Sequence, residues 1–189
     1  MDQQEFFTVH HKLTVNVEPL PSGFTLPDQI MFISEIPAPF IVASEFSQLD
    51  NLTEHAMNDL RNSDFRHVIQ LLENQNNKLN LLLTFMLAQQ DNEVHRTYTT
   101  GFGASRFSYH SDREISPGTL ARVKLFLDHP PAAIYCYAEA IECTPSEPGY
   151  EVAMKYSLLR DQDQDLLIRA ALYQQQKLLR QRSLDRENQ

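Results

Sequence analysis

Residues 99–127, TTGFGASRFSYHSDREISPGTLARVKLFL, decide how this chain is read. Gly101 and Gly103 stand two apart, followed by Ser105 and Arg106. A phosphate-cradling loop would need a Walker lysine or a helix beginning at the glycines, and neither follows. The flanks alternate with a period of two instead, so the glycines read as a break between two strands. Pro117 and Gly118 then occupy positions that turn chemistry prefers. In the next run Leu120, Arg122, Lys124 and Phe126 oppose Ala121, Val123, Leu125 and Leu127, with the second set facing a core. The stretch is antiparallel β.

Downstream, PAAIYCYAEAIEC and GYEVAMKYSLL flank TPSEPG, a hairpin signal. The chain closes on a helix that opens with Asp161, Asp163 and Asp165 and ends on Lys177, Arg180, Arg182 and Arg186. That polarity matches the helix dipole. The basic end is read as a solvated helix terminus, with an acidic partner or a membrane surface as the alternative.

Upstream, Phe7, Val9, His11, Leu13, Val15 and Val17 form one side of a period-two strand over about 6–17. PLPSGFTLPDQ breaks it. IMFISEIPAPFIVASEF is apolar, but Pro37 and Pro39 forbid one continuous element, and short extended pieces are expected there. From Thr53 to about Gln90 there is neither Pro nor Gly. Phe65, Leu72, Leu79 and Met86 fall at d positions of a heptad, and Ile69, Asn76 and Leu83 at a. Val68, Leu71, Leu82 and Phe85 widen the stripe beyond a two-stranded seam, which favours a self-associating helical bundle with Asn76 setting its register, the alternative being a long core helix packed on its own domain. The order predicts an α+β fold. Its parts are an N-terminal strand and irregular extended segment (1–50), a long helical insertion (51–92), and an antiparallel β-barrel with a C-terminal helix (93–189).

Composition narrows the function. With 189 residues, 42% hydrophobic, a folded chain is expected, either one domain with a substantial core or a small domain plus an appendage. The net charge of −9 gives no support to binding a nucleic-acid polymer. No apolar run reaches the roughly 20 residues of a membrane span, and the N-terminus lacks a signal-peptide pattern. Two cysteines, Cys136 and Cys143, are read as reduced thiols, so a cytoplasmic protein is expected. The seven histidines form no i, i+4 pair, so no metal site is expected. Asp161, Asp163 and Asp165 resemble the start of a calcium loop, but Leu166 and Leu172 stand where a Gly and a bidentate Glu belong. No nucleophile elbow or activated cysteine is present, and no enzyme is expected.

From about 94 to 182 the chain resembles a PilZ domain: a short motif bend entering a strand, a Pro-Gly turn, an alternating strand, a hairpin and a closing helix. The heptad insertion after the first strand is similar to the atypical, tetrameric PilZ proteins. That resemblance implies a bacterial signalling or adaptor protein in cyclic di-GMP-linked regulation of motility, pili or surface behaviour. It also implies self-association, in a tetramer, and binding to protein partners. Family receptors hold cyclic di-GMP through R-x-x-x-R and D-x-S-x-x-G, in which guanidiniums clamp phosphates. Here Gly101, Gly103 and Arg106 stand where Asp, Ser and Gly belong. Sliding by two residues recovers only Ser105, and Arg61 and Arg66 are one residue too far apart. These departures argue against the usual ligand mode and for a bend retained for the fold. The alternatives are a receptor in which Arg96, Arg106 and Arg113 replace the missing groups around Gly101, Gly103 and Ser105, and a purely structural oligomerisation scaffold.

Overall fold

The computed structural model describes residues 8–47, 49 and 65–187. The elements run β1 (Thr8–Val9), β2 (Thr14–Pro19), α1 (Gln29–Glu35), α2 (Ala38–Ser47), α3 (Arg66–Ala88), β3 (Arg96–Gly103), β4 (Arg106–Ser111), β5 (Leu120–Asp128), β6 (Pro131–Pro145), β7 (Tyr150–Leu158) and α4 (Asp161–Glu187). The first stretch of the expected heptad helix, 53–64, lies outside the described residues, as does Arg61.

Six strands close an antiparallel barrel in the order β3-β2-β5-β6-β7-β4 and back to β3. The expected first strand is present as two pieces on one edge of β3. Thr8 pairs with Gly103 and Val9 with Phe102, while Thr14 pairs with Tyr98 and Asn16 with Arg96. The register differs by one residue between the pieces, so 10–13 bulge off the edge. Buried Thr99 patches the gap: its hydroxyl donates to the His11 carbonyl at 2.8 Å and accepts the Leu13 N–H at 2.9 Å.

On β5 the alternation holds, with Ala121, Val123, Leu125 and Leu127 buried. The turn before it has Gly118 at φ +88° and a Thr119 N–H donating to the Ser116 carbonyl, a geometry that Pro then Gly supplies. β6 loses alternation from Ala132 to Ala138 because both its faces are covered. Ile134, Cys136 and Ala138 share a face with their neighbours Val123, Leu125 and Ala121 on β5. Tyr135 and Tyr137, on the opposite face, lie against the Phe32 ring of α1.

Residues 29–47 are helical, in place of the extended pieces expected. Asp28 caps α1 by accepting the Met31 N–H at 2.9 Å. Pro37 and Pro39 fall just before and within the first turn of α2, where a missing N–H breaks no helical bond. The prolines do prevent one continuous element, since α1 and α2 meet at 96°. Both helices lie on the outer wall: Phe40 meets Phe126, and Glu35 accepts the Tyr137 hydroxyl at 2.6 Å and the Tyr135 hydroxyl at 3.3 Å. Leu166, Leu167, Ala170 and Ala171 of α4 are buried in the same core. No single helix among the described residues is long and apolar enough to cross a membrane.

Candidate functional site

Gly101 and Gly103 lie within β3 itself, and the turn between β3 and β4 is made by Ala104 and Ser105. Gly101 stands at a close approach: a Cβ there would meet Thr8 Cγ2 and the Val9 carbonyl oxygen, each at 3.3 Å, and a neighbour would have to give by a few tenths of an ångström. The glycine sits where β1 pairs alongside β3, and the register with β4 shifts at this point, between Thr99 and Gly101. The turn is held from two sides. Tyr156 N–H donates to the Ser105 carbonyl and Gln164 Nε2 to the Ala104 carbonyl.

Beside this hairpin a cleft of about 260 Å³ opens on the outer wall, lined by Thr8, Arg106, Ser108, Glu142, Thr144 and Glu151 among others. Thr100 Oγ1 donates to Glu151 Oε1 at 2.7 Å and lies 2.7 Å from Ser108 Oγ. Since Thr100 spends its single proton on Glu151, Ser108 donates to Thr100, and the relay ends on a carboxylate. Two carboxylates therefore face this cleft. Underneath, Phe107 stacks on Tyr156 and Tyr109, and burial pushes the Tyr109 hydroxyl up to about 12.

The three arginines singled out by sequence proximity do not converge. Arg106 borders the cleft, paired across the sheet with Lys155. Arg96 begins β3, seven residues or about 23 Å along the strand from Gly103. There its Nε donates to Asp91 Oδ2 at 2.6 Å, with Glu93 at 3.6 Å, and this bonding raises its pKa. Arg113 follows the far end of β4, where its backbone exchanges hydrogen bonds with Ser111 Oγ. Thr100, Ser108, Glu142 and Glu151 were not singled out from the sequence. They come from four strands, and only cross-strand register brings them together.

The heptad residues of α3 separate into two sets. Leu83 is buried, together with Leu87, in the main core, and Ile69 is buried too. Phe65, Leu72, Asn76, Leu79 and Met86 are exposed, as are Val68, Leu71, Leu82 and Phe85. A helix of this length extends about 35 Å, and its middle turns have no cover among the described residues. Its C-terminal end is tied to the barrel by Asn16. That side chain donates to Asp91 Oδ1 at 2.7 Å and the Asn92 carbonyl at 3.3 Å, and accepts the Asn92 N–H at 2.8 Å.

No family model and no curated protein matches this sequence. Among solved structures, the chain is similar to a tetrameric PilZ domain from Xanthomonas campestris that self-assembles via a helical bundle. The TM-score is 0.54 at 13% identity, over 93% of this chain and 91% of that one. It also aligns with the inhibitor of motility MotI/DgrA of Bacillus subtilis, with a TM-score of 0.48 at 10% identity, spanning 53% of that protein. The fold of this chain is PilZ-like, of the atypical kind with a long helix inserted ahead of most of the barrel.

Proposed function

We propose that this chain is a non-enzymatic, PilZ-like signalling adaptor that self-associates through α3, as a tetramer, and acts in cyclic di-GMP-linked regulation by binding protein partners. The observation that carries this reading is the exposed apolar face of α3. Leu79 is 48% exposed, Leu82 62% and Phe85 64%, in an element otherwise anchored by Leu83 and Leu87. A contiguous apolar face of this kind on an isolated protomer favours association in water. The self-assembled helical bundle of the Xanthomonas campestris protein supports the same reading. Motility, pili or surface behaviour are the processes the reading points to. It does not require the nucleotide itself to bind.

The test is the mass in solution by light scattering of the native chain and of the double variant Leu72→Glu/Leu79→Glu. A native mass of four protomers and a folded, monomeric double variant are expected, because each glutamate would be buried unpaired in the seam. A native chain that is already monomeric, or a double variant that keeps its assembly, sinks the proposal. Leu83 is unsuitable for this test, since it packs into its own protomer.

A further inference from the structure

Next to the glycine hairpin, β3 carries a second opening. Its pairing is irregular on both edges at one level: β1 and β2 are interrupted at 10–13, and the register with β4 slips between Thr99 and Gly101. Bulges of this kind are over-represented beside functional surfaces. The Thr99 hydroxyl, bonded to the His11 carbonyl and the Leu13 N–H within the interruption, fixes the path of the chain along this edge.

The depression this creates has a volume of about 480 Å³. Lys12, His11 and His110 line it, with Tyr98, Thr97 and Thr100. Among the described residues no Asp or Glu lines it, in a chain with 25 acidic residues against 16 Lys and Arg. Lys12 Nζ lies 3.9 Å from the centroid of the Tyr98 ring, which poises an ammonium at the opening without neutralising it. Glu151, across β4, already accepts the Thr100 hydroxyl.

We propose that this depression binds the terminal phosphate of a small phosphate monoester, with Lys12 and His110 meeting the anion and Tyr98 flanking the organic body. An ammonium held over an aromatic ring, with an imidazole lining the same depression, suits a group that carries up to two negative charges. The proposal is independent of how the chain assembles.

The experiment is a titration of the full chain with phenyl phosphate and with inorganic phosphate, followed by backbone amide NMR against sodium chloride at matched ionic strength. Saturable shifts confined to the amides of 10–13, 97–100 and 110 are expected, with phenyl phosphate the tighter ligand. Lys12→Ala, in a chain whose other amides do not move, should weaken binding about tenfold. Should that variant fail to fold, His110→Gln, on an exposed side chain, is expected to weaken binding in the same direction. Equal affinity for the two probes would replace the ester by free phosphate. Shifts matching those in chloride, shifts elsewhere, or shifts indifferent to both variants would overturn the site.

Discussion

Asn16 shows how one buried polar side chain places a large element. It sits on β2 between Val15 and Val17, at a position where either neighbour's chemistry would suit a strand. It is 4% exposed, and its three hydrogen bonds hold Asp91 and Asn92, the residues that follow α3. Replacing it by Leu leaves the Asn92 N–H and the Asp91 carboxylate short of partners. The expected loss is roughly 2–4 kcal/mol in urea unfolding, with faster amide exchange over 90–95. Unchanged exchange there would show that α3 is placed by other contacts. His11 sets a pH dependence. Burial lowers its pKa from the ordinary 6.5, Lys177 and His129 push the same way, and Asp128 opposes them. The unfolded chain then binds the proton more readily, so this residue's contribution to stability falls as pH drops through 6.5. Asp163 has the opposite sign. Its burial raises its pKa against the pull of Arg160, so its contribution improves as pH falls through that raised value. As pH falls through 6.5 the His11 contribution lowers the urea midpoint of the native chain, and the midpoint should fall less in His11→Gln. Equal slopes would remove His11 from the account.

At the scale of elements, α3 is one sequence pattern serving two surfaces. The heptad reading placed Leu79 and Leu83 in a single seam, but the fold assigns Leu83 to its own core and leaves Leu79 outside. Leu83→Ala should therefore cost about 2–5 kcal/mol in protomer stability. Leu82→Ala, one residue away and 62% exposed, should leave the folded protomer nearly as stable and act only on the proposed assembly. Calorimetric unfolding at protein concentrations low enough to dissociate the assembly separates the two, and a similar loss for both would mean that α3 does not divide this way. Strands β5 and β7, the hairpin before β7 and the closing helix were legible because their periodicity or turn residues are local. Residues 29–47 were not. Pro37 and Pro39 signal an interruption equally well between two strands or at the start of a helix, and the Asp28 cap that settles the choice lies upstream of the apolar run.

At the scale of the molecule, the barrel's outer wall brings together what the chain keeps apart, which is why the candidate sites were the least legible part. Gly101 and Gly103 were visible as a motif position, but what crowds Gly101 is the close approach of Thr8 and Val9, more than ninety positions earlier. Arg96, Arg106 and Arg113 looked like one cluster because they are near in sequence. An extended hairpin turns that nearness into distance, and puts Arg96 against Asp91 at the far end. What faces the cleft beside the glycines instead is Glu142 and Glu151, on a chain of net charge −9. A cyclic dinucleotide brings two phosphodiester charges to that wall, with Arg106 as the one arginine bordering the cleft among the described residues. It also lacks the terminal phosphate that the Lys12 depression is suited to. Calorimetric titration with cyclic di-GMP is therefore expected to show no saturable heat up to about 100 μM, a range in which a specific ligand would contribute at least about 5–6 kcal/mol of binding free energy. Competition against a fluorescent cyclic dinucleotide guards against a cancelled enthalpy. Micromolar binding abolished by Arg106→Ala would reverse the conclusion: the glycine hairpin would then be a remodelled receptor site, with the carboxylates around it moved aside when the ligand enters.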